Sequence, residues 1–299
     1  LSEEDADRLE EFGRAILEGT PYPEYSTEDG IQSYSASTVR QYLTRLRVDV
    51  AETDRELSSI TAEEFNELMA ELDADRARST TTQAQSAAKH FFRYFADLDV
   101  DAEDIAVFKE DTSQKQVNPE EVLTHDEIEA IRKAIDGTVN PVRNRAFLEM
   151  LIYTGQRLRA LQTLKLKDVH PEEKPGHILL NDEADGLKNA TDRGRRRPLL
   201  AARKYVREWK ERHPYRDDPD AWFFVGQPSH SNTTKDTPWS ASAMRRTLKR
   251  AAKEAGIENY KERVTPHAFR HFWYTSMRRQ ENADPEDLKA VGGWAEGSN

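Results

Sequence analysis

Apolar positions recur every three or four residues along most of this chain, the spacing of helices with one buried face. Leu9, Phe12, Ala15 and Ile16 stand among acidic residues and predict a helix over residues 1–20. Pro21-Tyr22-Pro23 ends it, and a polar loop runs to Ser35. Ser37-Thr38 predicts the start of a second helix, with Val39, Leu43, Leu46 and Val50 on its apolar face and Arg40, Thr44 and Arg47 on another. Thr61-Ala62-Glu63-Glu64 is a capping box, with a carboxylate three residues after the threonine, and opens a third helix to about Leu72. A fourth spans Ser79 to Leu98, where Ala84, Ala88, Phe91 and Phe95 line one side and Thr82, Ser86, Lys89 and Arg93 another. A solvated face is the ordinary meaning of such polar stripes. In an acidic segment, stripes nearly free of acid equally fit a DNA grip, with arginines on phosphates and hydroxyls near base edges.

Residues 110–121 have linker composition, and Thr124-His125-Asp126-Glu127 is a second capping box that opens a new domain. Helices are expected from Thr124 through Ile135, from Ala146 to Tyr153 before Gly155, and from Leu158 to Leu166. Between Gly176 and Leu200 the pattern changes to Ile178-Leu179-Leu180, a polar stretch, then Arg195-Arg196-Arg197-Pro198-Leu199, which predicts a small antiparallel sheet. Helices return at Ala201–Arg212, at Ser240–Ala255 and from Pro266 onward, while Trp222-Phe223-Phe224-Val225 reads as a short strand or core anchor. No internal repeat is visible.

Composition changes this picture in two ways. The 299 residues are long enough for two domains, and no apolar run is long enough to span a bilayer, so a cytoplasmic protein without a membrane partner is expected. The net charge of −11 argues against a nucleic-acid partner until its distribution is seen: residues 1–118 carry a net −15 and residues 119–299 a net +4. Abundant carboxylates, 15 lysines against 29 arginines, and no cysteine fit a high-salt cytoplasm as well as an ordinary acidic surface. In molar salt the counterion-release contribution to DNA binding is weak, and hydrogen bonds and shape carry more of the recognition.

The richest stretch for chemistry is Val264-Thr265-Pro266-His267-Ala268-Phe269-Arg270-His271. A proline that can open a helix precedes a histidine and an arginine three residues apart, so both project from one face. A cation beside a proton donor suits a phosphodiester whose phosphorus gains negative charge in a transition state. Thr154-Gly155-Gln156-Arg157-Leu158-Arg159 supplies another arginine after a glycine turn. His267 and His271 have the i, i+4 spacing of a zinc pair, but Ala, Phe and Arg between them and no third ligand nearby argue against a metal.

These segments resemble the tyrosine recombinase (phage integrase) family. The resemblance covers nearly the whole chain and rests on an ordered set: LTHDEIEAIRKAI, YTGQRLRALQTLKLKDV, SASAMRRTLKRAAKEAGI, TPHAFRHFWYTSM and VGGWAEGSN. It implies a mainly α, two-domain protein, with an all-helical core-binding (SAM-like) domain over residues 1–109, the linker, and an α+β catalytic domain with a small antiparallel sheet over 122–299. Carried over residue by residue, Arg157 and Arg270 hold the non-bridging oxygens of a scissile phosphate. His267 transfers or shares a proton, Lys188 protonates the leaving 5′ oxygen, and Trp294 donates its indole N–H. His271 buttresses the helix. Arg40, Thr44, Arg47, Thr82, Ser86, Lys89 and Arg93 become the DNA-binding residues of the first domain, facing the same cleft as the two catalytic arginines.

Two departures stand out. The family places an acid three residues after its first arginine, where this chain has Ala160. Its nucleophilic tyrosine is expected about nine residues after Trp294, past Asn299, whereas Tyr260 and Tyr274 fall out of the family's order and read as structural. With Leu1 in place of methionine, the expectation is a trimmed N-terminus and a chain truncated before its nucleophile. The implied function is site-specific DNA recombination through a 3′-phosphotyrosyl intermediate, by a homotetramer on synapsed double-stranded DNA. A halophile's virus, plasmid or chromosome is the expected source. No cofactor or metal is implied, because bond energy is conserved in the covalent intermediate. The alternatives are a DNA-binding protein that does not cut and a type IB topoisomerase-like enzyme.

Overall fold

The computed structural model describes residues 2–19, 33–51, 55–108, 122–180, 196–226, 234–279 and 284–292. The chain divides into two compact units, Leu1–Gln116 and Val117–Asn299. The linker expected at 110–121 lies outside the described residues.

The first unit is helical. Helix α1 (Glu3–Glu18) is capped by Ser2, whose Oγ accepts from the Asp5 amide at 3.2 Å, and it ends on Gly19 in the left-handed region at φ 74°. Asp5 is buried and accepts from the amides of Leu57 and Ser58 at 2.8 and 2.9 Å, so an acid of α1 holds a distant turn. Helix α2 (Ala36–Ala51) begins just before the expected Ser37-Thr38, because Ser35 is the residue whose Oγ accepts from the Thr38 amide at 3.3 Å. Helix α3 (Ala62–Asp75) starts at the predicted capping box and runs a turn past Leu72.

Helix α4 (Arg78–Tyr94) stops short of the expected Leu98. Phe95 leaves the helical region to stay buried, with its ring centroid 4.9 Å from that of Phe91. Phe91 also meets Phe12 edge to face at 5.5 Å, so the α1 and α4 faces predicted to be apolar form one aromatic core.

The second unit is built around α6 (Pro141–Thr154), which is buried on nearly every side. It starts five residues before the expected Ala146. Asn140 caps it and Pro141 takes the first turn, while buried Arg143, Asn144 and Glu149 mask its periodicity. Each of these polar groups is satisfied. Arg143 donates to the Val225 carbonyl at 2.9 Å and lies 3.8 Å from the centre of the Trp239 ring. Glu149 is clasped by Arg132 at 2.7 Å and Arg145 at 2.6 Å.

Helix α5 (His125–Asp136) begins at the second predicted capping box. Helix α7 (Leu158–Gln162) ends before Leu166, where the Thr163 Oγ1 turns back to the Arg159 carbonyl at 3.0 Å, and Leu166–Asp168 form a 3-10 turn. The predicted small antiparallel sheet has three strands. β1 (Val169–His170) pairs antiparallel with β2 (His177–Leu179), which pairs antiparallel with β3 (Arg196–Pro198). Trp222–Val225 is an anchor held by single bridges, Lys165 to Trp222 and Val225 to Pro238, with Phe223 and Phe224 fully buried. Helices α8 (Arg203–Glu211), α9 (Ala241–Glu254), α10 (Tyr260–Arg263), α11 (Pro266–Arg278) and α12 (Pro285–Gly292) complete it. No helix among the described residues is long and apolar enough to cross a membrane.

Candidate active site

The site is built on the junction between α6 and α7. Gly155 ends α6 at φ 60°, and a Cβ there would stand 2.4 Å from the Trp273 ring, so only glycine permits the approach. Gln156 is buried and donates through Nε2 to the carbonyls of Thr154 at 2.9 Å and Val291 at 3.1 Å. That places Arg157 at the head of α7, half-buried. Arg159 turns away and donates to Gln162 Oε1 at 3.0 Å, while Gln162 donates to the Trp239 carbonyl at 3.0 Å. Ala160 is buried, and where a bracing acid was expected Gln162 ties α7 to the segment leading into α9.

Helix α11 supplies the facing residues. Thr265 caps it, accepting from the Ala268 amide at 3.2 Å, and Pro266 occupies its first turn. Arg270 is 1 % exposed. Its Nη1 donates to the Gly155 carbonyl at 2.8 Å and also to the Gly292 carbonyl, so one guanidinium joins the glycine turn before Arg157 to the end of α12. Burial first, then the charges of Arg157 and Arg197, pull Arg270 down to about 9, still cationic at neutral pH. His267 lies at the exposed edge, with its ring 4.4 Å from that of His271 and perpendicular to it. Partial burial and the neighbouring His271, Arg270 and Arg157 hold the His267 imidazole below its ordinary value, which favours the neutral ring.

Arg157, His267 and Arg270 therefore share one electrostatic neighbourhood. A third arginine, which sequence reasoning left in the sheet, joins them. Arg197 sits on β3 opposite Ile178 and is only 7 % exposed. Its Nη1 donates to the Arg196 carbonyl at 3.3 Å, and its Nε is buried without a hydrogen-bond partner. No carboxylate among the described residues pairs with it, and burial holds its pKa below the ordinary value. The sequence alone does not single it out; the strand's alternation, exposed Arg196 then buried Arg197, does. Lys188 and Trp294 lie outside the described residues. Tyr274 is half-buried one turn beyond Arg270 on α11, and Tyr260 opens α10.

In the first unit the two polar stripes differ. Arg40, Thr44 and Arg47 are exposed along α2, beside a groove floored by Leu17, Val39 and Leu43. On α4, Thr82 donates to the Phe108 carbonyl at 3.0 Å and Ser86 to the Thr82 carbonyl at 2.8 Å. Lys89 meets Glu103 at 2.8 Å, and Arg93 meets the same carboxylate. These two cations hold Glu103 down to about 2.

Residues 121–299 match the model of the phage integrase family. Among solved structures, the chain is similar to a lambda integrase dimer bound to a COC′ core site, with a TM-score of 0.65 at 15% identity, covering 98% of this chain and 95% of that one. It is similar to the Tn1549 transposon integrase in complex with circular intermediate DNA, with a TM-score of 0.60 at 17% identity, covering 96% and 91%. The XerH site-specific recombinase bound to difH substrate gives 0.57 at 19% identity, covering 87% and 72%. At these identities the likeness is one of fold. No curated protein matches the chain.

Proposed function

The chain belongs to the phage integrase family, and on that premise we propose that it acts in site-specific DNA recombination of the tyrosine type. The observation that carries this reading is the binding of Arg270 to the Gly155 turn, which sets Arg157 and Arg270 beside His267. In the proposed mechanism, the two guanidinium groups hold the non-bridging oxygens of one phosphate, each with a planar fork of donors that keeps its charge. A tyrosine hydroxyl attacks phosphorus, the bond to the 5′ oxygen breaks, and Lys188 protonates that oxygen. His267, held neutral, hydrogen-bonds the phosphate or moves the tyrosine's proton. Trp294 donates its indole N–H. Arg197 adds a third cation under the developing charge.

The first unit grips the duplex. Arg40 and Arg47 meet phosphates, with Thr44, Thr82 and Ser86 near base edges. Lys89 and Arg93 exchange Glu103 for phosphate on binding. Four protomers act on two synapsed duplexes.

The test uses the full-length protein and a nicked suicide duplex carrying a site selected from a random pool. The proposal expects a covalent 3′ adduct whose attached residue, identified by mass spectrometry, is neither Tyr260 nor Tyr274. Tight, selective binding with no adduct would leave a DNA-binding protein that does not cut.

A further inference from the structure

A cluster on the β1–β2 hairpin has no part in the phosphate site. His170 and His177 face each other directly in the antiparallel register, and Glu173 lies in the turn between the strands. The imidazole rings stack at 4.8 Å and 15°. The carboxylate spans them, with Oε1 3.5 Å from His170 Nδ1 and Oε2 3.6 Å from His177 Nδ1. These separations are long for hydrogen bonds. They are close to the edges of a zinc polyhedron, since ligand atoms at ~2.0–2.2 Å from a tetrahedral ion stand about 3.4 Å apart. All three ligand atoms lie within 4.8 Å of one another, so an ion needs them to close by roughly an ångström.

Two further details favour an ion. Arg196 Nη2 approaches His177 Nδ1 at 3.0 Å and Glu173 Oε2 at 3.1 Å. A guanidinium can only donate, so His177 Nδ1 must present its lone pair to Arg196, the tautomer a metal requires. The Pro175 carbonyl, at 3.3 Å from the same nitrogen, is the weaker contact. His170 Nε2 is buried without a hydrogen-bond partner, so turning this ring toward an ion breaks no hydrogen bond at that nitrogen. The place between the ligands is thus already a cation's place, held by an arginine whose side chain is 57% exposed and able to swing out.

We infer that His170, Glu173 and His177 form a binding site for a divalent transition-metal ion, zinc foremost, in which the ion displaces the Arg196 guanidinium. Two imidazoles and a carboxylate are the donor set zinc accepts with water in its fourth position. The ion clips β1 to β2 and releases Arg196 at the start of β3. It takes no part in phosphoryl chemistry.

The test is calorimetric titration of EDTA-stripped, desalted protein with zinc chloride, repeated with cobalt(II) to read its visible absorption. One equivalent should bind, and saturating zinc should raise Tm by about 5 °C, the scale expected for ligand well above its Kd. Glu173→Gln, a change at an exposed residue, and His177→Ala should each weaken binding more than 30-fold. Arg196→Ala should tighten it several-fold, which a merely structural arginine would not do. His267→Ala/His271→Ala should leave binding unchanged. No binding at 100 µM zinc, binding indifferent to Glu173→Gln, or weaker binding in Arg196→Ala would overturn the inference.

Discussion

At the scale of the residue, the site is an accumulation of positive charge that folding by itself does not favour. Burying a cation costs free energy unless a partner offsets it, and Arg197 has no carboxylate partner among the described residues. Arg197→Leu is therefore expected to raise stability by about 1–3 kcal/mol while lowering DNA cleavage ~10-fold or more. Urea melts and single-turnover cleavage read the two effects, and a variant that is less stable yet fully active would refute the role given to Arg197. His213 is a contrasting case with a structural use. It is buried, accepts from the Tyr215 amide through Nδ1 at 3.1 Å and contacts the Trp222 carbonyl through Nε2 at 3.1 Å. Burial pushes it down to about 4, so the unfolded chain binds the proton that the folded one refuses. The sign follows: its contribution is present above the ordinary value near 6.5 and is lost as pH falls toward 4. At roughly 1.4 kcal/mol for each pKa unit, the loss is about 2–4 kcal/mol. Tm should drop between pH 7 and pH 5, and His213→Phe should flatten that drop. An unchanged slope in the variant would mean that other groups carry it.

At the scale of the element, caps were legible and interiors less so. Thr61 and Thr124 announced their helices, because a cap is a local hydrogen bond written in adjacent residues. The end of α4 was hidden, since Phe95 leaves the helix for a tertiary reason, its packing on Phe91. The start of α6 was hidden because its partners lie far away in sequence, Val225 for Arg143 and Arg132 for Glu149. Strand β1 has two residues, too few for alternation to register. That Arg157, His267 and Arg270 lie near one another was readable from motif order. Arg197 was not, because three consecutive arginines read as surface until the strand turns the last of them inward. The element most exposed to a single change is the Gly155 turn. Gly155→Ala meets both a left-handed backbone and the Trp273 ring, and should cost about 2–4 kcal/mol. Because Arg270 bonds this same turn, cleavage should fall further than stability alone explains. Chemical denaturation alongside cleavage under strongly native conditions separates the two, and a variant within 0.5 kcal/mol of wild type would contradict the packing described.

At the scale of the whole molecule, a net charge of −11 coexists with local concentrations of arginine. Association with DNA should accordingly run through those local cations rather than through the net charge. Arg40→Ala and Arg47→Ala should each weaken binding alike on matched and unmatched sequences and lower the salt slope by about one. Equal slopes in wild type and variants would remove the α2 stripe from the interface. The central claim is that Arg157 and Arg270 act on one phosphate, and a double-mutant cycle tests it most directly. Cleavage of a nicked suicide duplex by the full-length protein should be measured, with binding alongside, for Arg157→Ala, Arg270→Ala and the pair. Each single change should cost ~10²–10³-fold in cleavage and little in binding. The pair should lose far less than the product of the two, because residues that act as a unit are not additive. Losses that multiply cleanly would show two independent sites and contradict the account.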